Sequence, residues 1–170
     1  MTESVVLLAA DARPQSGGGH LARLRTLAEA LEAHGATVRL MGRDADDFSQ
    51  VAEAAEAGDV GLVVLDDYGA TIEDDLRLKQ KGRRLAAVCD GPTGQRAPDL
   101  ILDAAPRPHP AAYTDKAPNA KLLLGPQWAL VGERYTRRRS ASLARRSNDL
   151  NGRARVAISF GLVDRPGGAL

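Results

Sequence analysis

Five apolar runs of strand length recur along this chain, at Val5 to Ala10, Thr37 to Met41, Gly61 to Leu65, Leu85 to Val88 and Leu100 to Leu102, with helical patterns between them. That alternation marks βαβ units, because strands that run parallel need a connection long enough to hold a helix. The expected fold class is therefore α/β, a Rossmann-like parallel sheet with flanking helices. The clearest helical pattern runs from Leu21 to Ala33. Leu24, Leu27, Ala28 and Leu31 make its apolar stripe, Arg23, Arg25, Glu29 and Glu32 face outward, and Gly35 ends it. A second helix is expected over Asp47 to Ala57, opened by the acidic Asp44, Asp46 and Asp47. A third spans Thr71 to Lys81, with Thr71, Glu73 and Asp74 at its start and Lys79, Gln80 and Lys81 at its end. Between Ala104 and Pro118 stand four prolines, Pro106, Pro108, Pro110 and Pro118, which predict an irregular connection.

The segment Gly17-Gly18-Gly19-His20 joins the first strand to the first helix. Glycines let a ligand approach the backbone, and the N–H groups and dipole of a helix start favour negative or partly negative groups there. The loop therefore suits a phosphorylated or sugar-like ligand. The dipole disfavours an imidazolium at His20, so the ring is expected to stay neutral near pH 7 and to accept a proton from water or a hydroxyl. Ligands of open α/β sheets bind outside the carboxyl ends of the strands, where Asp11, Asp66, Asp67 and Tyr68 are expected. Paired acids there could orient a histidine, bind sugar hydroxyls or hold a metal. Asp90 reads as part of a Gly-Pro turn, His34 as a helix C-cap, and His109 has no nameable partner.

At 170 residues the chain suits one ordinary domain, with residues 1–150 as that domain and 151–170 as the opening of another. Its formal net charge of +1, from 23 Lys and Arg against 22 Asp and Glu, provides no global field for nucleic acid or an anionic membrane. The single cysteine, Cys89, excludes an internal disulfide, and no repeated Cys/His spacing argues for zinc. A reducing cytoplasm fits, and the N-terminal apolar run of six is too short for a signal or membrane span. The local exception in charge is the arginine-rich stretch from Arg134 to Arg155, read as a solvated connecting helix because a nucleic-acid site would carry interleaved aromatics. Ala154 to Phe160 then alternates as a strand before Gly161, consistent with a second domain that begins there.

Four ordered segments resemble one family. Asp11, the spacing to Gly17-x-Gly19-His20, Arg23, and Leu27-Ala28 to Gly35 resemble the N-terminal half of the UDP-2,4-diacetamido-2,4,6-trideoxy-β-L-altropyranose hydrolases of pseudaminic acid biosynthesis. Asp67-Tyr68-Gly69 resembles that family's Asp-x-Tyr-Gly strand end with the x removed or shifted. Leu122-Leu123-Leu124-Gly125-Pro126-Gln127-Trp128-Ala129-Leu130 is similar to its Leu-Leu-Gly-Pro-x-Tyr-Ala-Leu run, and Ser159-Phe160-Gly161 to its Ser-Phe-Gly-Gly. The resemblance implies the N-terminal, sugar-side domain of a glycosyltransferase-B fold, with a C-terminal half that grips UDP. The reaction it implies is hydrolysis of the sugar C1 to UDP oxygen bond in flagellin-glycan biosynthesis, with no metal or other cofactor. His20 would activate or position water and Tyr68 would help position sugar or water. Asp11, Gly17, Gly18, Gly19, Arg23, Asp66, Asp67 and Gln127 would line the substrate pocket. Three positions depart from the family pattern: Ala9 stands in place of an arginine, Trp128 in place of a tyrosine, and Leu162 in place of the second glycine of Ser-Phe-Gly-Gly. Two other readings share the fold. One is a sugar transferase similar to the peptidoglycan N-acetylglucosaminyltransferase, which also carries Gly-x-Gly-His, and the other is a non-catalytic binding module.

Overall fold

Val5–Asp11 (β1) is apolar on both faces, which suits a strand inside a sheet covered on two sides. In the computed structural model, which describes residues 4–106 and 108–148, β1 is the second strand of a six-stranded parallel sheet. The chain continues through α1 (Gly19–Ala33), β2 (Val38–Arg43), α2 (Ser49–Glu56), β3 (Val60–Asp66), α3 (Ile72–Leu78), β4 (Arg84–Cys89) and β5 (Leu100–Asp103). The described residues then give α4 (Ala111–Thr114), β6 (Lys121–Leu124), α5 (Glu133–Thr136) and α6 (Arg139–Asn148). The strand order is β2-β1-β3-β4-β5-β6, so the chain reverses its direction of travel across the sheet between β1 and β3. A crevice opens at such a switch point, outside the carboxyl ends of the two strands.

Strand periodicity divides the core into two layers. Leu8 and Ala10 of β1 and Val64 of β3 face α1, where they meet Leu24 and Ala28. Leu7 and Ala9 with Val63 and Leu65 face the other way, against Val51 and Ala55 of α2 and Leu78 of α3. Leu24 is completely buried, and truncating such a leucine to alanine costs about 2–5 kcal/mol through lost transfer energy and the cavity left behind. A third cluster joins Ala87, Cys89 and Ile101 to Tyr113 and Ala117 under the far end of the sheet.

The five expected strands and three expected helices are present. Thr71 caps α3 through a reciprocal box in which its hydroxyl accepts from the Asp74 N–H and the Asp74 carboxylate accepts from the Thr71 N–H. The third helix stops at Leu78 rather than Lys81, because the chain passes into a tight turn with Lys81 at φ 59°. The sixth strand, Lys121–Leu124, was not anticipated as a strand. It is a four-residue edge element held by its register against β5, a non-local pairing that a short run does not announce. The proline-rich connection is irregular apart from α4, and the arginine stretch is largely helical up to Asn148, with its arginines up to Arg146 exposed. The strand expected over 154–160, and with it the second domain at 151–170, lie outside the described residues.

Candidate functional site at the sheet switch point

The glycine loop is built in two steps. After β1, Arg13 leads into a single tight turn over Pro14–Ser16, and Gly17 then takes φ 70°, a left-handed conformation that disfavours a side chain. Gly18 occupies the N-cap of α1 with no side chain to cap it, and nothing lies within 4 Å of where a Cβ on Gly19 would stand. The first N–H groups of α1 are therefore free of a side-chain cap, beside open space. The helix begins at Gly19, which sets His20 in its first turn.

Register decides what His20 meets. Asp66 pairs with Ala10 across β1 and β3, so its carboxylate points to the α1 face of the sheet. The His20 Nδ1 lies 2.7 Å from Asp66 Oδ1, and Asp66 is wholly buried. An ionised carboxylate only accepts, so Nδ1 carries the proton and the lone pair of the neutral ring sits on Nε2. Nε2 has no hydrogen-bond partner among the described residues, and about a tenth of the side chain remains accessible. Arg23, one turn along α1, grips the same carboxylate with two bonds, Nε to Oδ2 at 2.7 Å and Nη2 to Oδ1 at 2.7 Å. Its third nitrogen, Nη1, donates to Asp90 Oδ1 at 2.7 Å. The Tyr68 hydroxyl donates to Asp90 Oδ2, and its ring meets His20 edge-on with centroids 4.7 Å apart. Five side chains from α1, the end of β3 and the loop after β4 thus form one connected network.

This network acts against the bias of the helix dipole towards a neutral imidazole. The hydrogen bond to Asp66 raises the His20 pKa above its ordinary 6.5, outweighing burial and the nearby Arg23 charge, which both oppose the proton. A buried carboxylate 2.7 Å away acts more strongly than the partial charge of a helix end. Burial, and then its bond to Asp90, push the Tyr68 hydroxyl well above its usual range, so it stays a donor. Burial opposes ionisation of Asp90, yet the bonds from Tyr68 and Arg23 hold its carboxyl below the usual value.

Asp11 and Asp67, expected to line the same pocket, belong to a different cluster. Side chains alternate along a strand, so Asp67 projects opposite to Asp66, towards α2. There Arg43 of β2, wholly buried, donates from Nε to Asp67 Oδ2 at 2.7 Å. Arg43 Nη2 stands 2.5 Å from the same oxygen without hydrogen-bond alignment, so that contact is a charge–charge attraction. Asp67 also accepts from the Gly69 N–H at 2.9 Å. Burial works against the Asp11 charge, but bonds from the Arg13 guanidinium and the Ser16 hydroxyl hold its carboxyl far below the usual range. These acids tie down the loops that flank the site. They do not face His20.

Gln127 is not gathered in either. It follows the edge strand β6, is exposed, and donates to the Leu124 carbonyl at 2.7 Å. Three strand spacings, about 14 Å, separate the ends of β6 and β3. Arg23 is present at the site, but its donors are committed to protein carboxylates. Asp90 was passed over as a turn residue, although the strand-end rule that singled out Asp66 applies equally to the residue following β4. His34 does sit at the C-cap of α1, and His109 leads into α4. The loop bearing Asp90 is anchored from below by Arg96, which makes two 2.8 Å bonds to the buried Asp75. Beside that anchor, burial pushes the Cys89 thiol up to about 11, which leaves it an inert thiol at neutral pH.

Among the described residues no group of three or more His, Cys, Asp or Glu is placed to hold a metal, and no helix is long and apolar enough to cross a membrane. No protein-family model and no curated protein sequence matches the chain. Among solved structures, the chain is similar to the lysine decarboxylase LdcF of Francisella novicida at 14% identity and a TM-score of 0.39, over 93% of this chain and 21% of that one. The chain spans about a fifth of that protein's length, and a likeness at this level carries no argument about function.

Proposed function

We propose that this chain is the N-terminal, sugar-side domain of a cytoplasmic nucleotide-sugar hydrolase that releases UDP from a 2,4-diacetamido-2,4,6-trideoxy sugar. The observation that carries the reading is His20, anchored through Nδ1 by Asp66 and presenting an unpartnered Nε2 at the switch-point rim beside the glycine loop. In the proposed step Nε2 takes a proton from water as the water oxygen bonds to the sugar C1. The bond from C1 to the UDP oxygen breaks and its electron pair leaves with UDP, an anion that needs no proton. Asp66 fixes the tautomer and balances the imidazolium that forms. Arg23 and Tyr68 are positioning residues that keep Asp66 and Asp90 in place.

The charges at the rim support the division of labour. Asp66 and Asp90 are acidic and the guanidinium of Arg23 is committed to both, which suits an uncharged sugar with hydroxyl and amide N–H donors better than a diphosphate. The UDP moiety is then held by a partner half, as the family resemblance implies. The test is UDP release from UDP-linked diacetamido sugars by the natural polypeptide that carries this chain, compared with its His20→Asn variant. Loss of turnover with an unchanged fold supports the proposal, and undiminished turnover ends it. A product in which the sugar is joined to an acceptor would reassign the chain to sugar transfer. Binding of the sugar nucleotide without consumption would make it a binding module.

A further inference from the structure

The arginine-rich stretch is absorbed by neither the fold nor the proposed reaction. Residues 134–146 hold six arginines and no acid, so the rest of the chain carries 17 Lys and Arg against 22 Asp and Glu. Charge is thus segregated along the sequence, with a strongly cationic segment in a chain otherwise of opposite sign. Only one arginine of the segment, Arg137, forms an ion pair among the described residues, an exposed 2.7 Å contact to Glu133. Arg134 lies over the ring of Tyr135 at 4.8 Å. Arg138, Arg139, Arg145 and Arg146 make no side-chain hydrogen bond or ion pair among the described residues, and all four are exposed.

These four arginines line one open groove of about 330 Å³ between α5 and α6, with Val131 and Tyr135 on its wall. Val131 and Tyr135 are 54% and 59% exposed, so the groove offers apolar surface beside its cations. Planar guanidinium forks match the oxygens of a phosphate, and an aromatic and an aliphatic side chain suit the organic part of the same molecule. The volume is at the small end of sites for compact ligands, which run from about 300 to 1,000 Å³. We propose that the groove between α5 and α6 binds a phosphorylated small molecule, with the four arginines gripping the phosphate and Tyr135 and Val131 covering the remainder. The site is separate from His20 and stands whether or not the hydrolase reading does.

The test is calorimetric titration of the full chain with inorganic diphosphate. Saturable binding is expected at about 50 mM salt, weakening on the order of tenfold at about 200 mM as the charges are screened. The Arg138→Gln/Arg145→Gln variant is expected to bind on the order of a hundredfold more weakly, about tenfold for each charge-assisted contact removed, with an unchanged circular dichroism spectrum. His20→Asn is expected to bind as the parent does. Absence of saturable binding at low salt, or parent-like affinity in the double arginine variant, overturns the proposal. So does loss of binding in His20→Asn alone, which would place the diphosphate at the glycine loop. A short single-stranded RNA that binds with affinity growing with its length, and that diphosphate does not displace, would overturn it in favour of a nucleic-acid surface.

Discussion

Two polar clusters stand back to back at the carboxyl edge of the sheet, and they are made of nearly the same residue types. On the α2 face, Asp11 and Asp67 meet Arg13 and Arg43. On the α1 face, Asp66 and Asp90 meet Arg23, but with His20 and Tyr68 added. The first cluster is closed, since Asp67 and Arg43 are 2% and 1% exposed. The second keeps some access to solvent: about a tenth of the His20 side chain is accessible, and the Asp90 side chain is 53% exposed. Two acids and their arginines therefore serve stability on one face and, in the proposed reaction, position the base on the other. What separates them is a titratable ring and the greater exposure of the carboxylate at the end of the network.

The contrast is open to experiment, and the largest effect is expected at His20. Replacing it with asparagine removes the base and should lower UDP release by about 10²- to 10⁴-fold, the usual share of general-base catalysis, with the circular dichroism spectrum unchanged. The closed cluster should show the reverse. Asp67→Asn leaves the buried Arg43 without its charged partner and should destabilise the fold by about 3–5 kcal/mol in denaturant unfolding. The paired change Arg43→Met/Asp67→Leu should recover most of that loss, because the desolvation of both ions is relieved together. If Asp67→Asn instead abolished turnover in a fold of parental stability, the assignment of the two clusters would be reversed.

A finer test uses proton linkage. Since Asp66 raises the His20 pKa above 6.5, the pair stabilises the fold fully below pH 6.5 and loses that contribution as pH rises through the elevated value. The catalytic form needs the neutral ring, so activity should climb over that same interval, with the acid limb of the kcat/KM profile above pH 6.5. Asp66→Asn keeps an acceptor for Nδ1 but removes the charge, and should shift this limb to lower pH; an unmoved limb would mean that His20 is not the titrating group. Asp11 and Asp90 work in the opposite sense. Their depressed carboxyls stabilise the fold above about pH 4, and that contribution disappears as pH falls through the lowered values. The smallest effect is expected from Tyr68→Phe, which removes a donor to Asp90 and a long acceptor for Arg23 Nη2 while leaving the Arg23 bonds to Asp66 and Asp90 in place. Turnover should fall by no more than about tenfold, consistent with the loss of one positioning hydrogen bond to Asp90 and a long 3.4 Å one from Arg23.

Much of this architecture was legible in the residues. The five strands and three helices follow from local periodicity, and Thr71 and Gly17 follow from the backbone groups that a cap or a left-handed turn must serve. His20 and Asp66 were also identifiable, one from its place at a helix start and the other from its place at a strand end. The sorting of neighbours was not. Asp66 and Asp67 are adjacent in sequence and equal in chemistry, and only the pleat of β3 sends one to His20 and the other to Arg43. Asp90 lies 67 residues from Arg23, and β6 is a strand only because β5 offers it an edge.

By itself, the sequence determined an alternating α/β chain, a glycine loop before a histidine, and a set of acids at the strand ends. Those properties depend on residues within a few positions of one another, through apolar period, helix capping and φ. The tertiary structure decided which strand neighbours which, which acid faces which helix, and that the proton on His20 answers to a buried carboxylate rather than to a helix dipole. Each of those outcomes depends on strand order and register, and charge interactions over a few ångströms in a desolvated interior then override the weaker local bias.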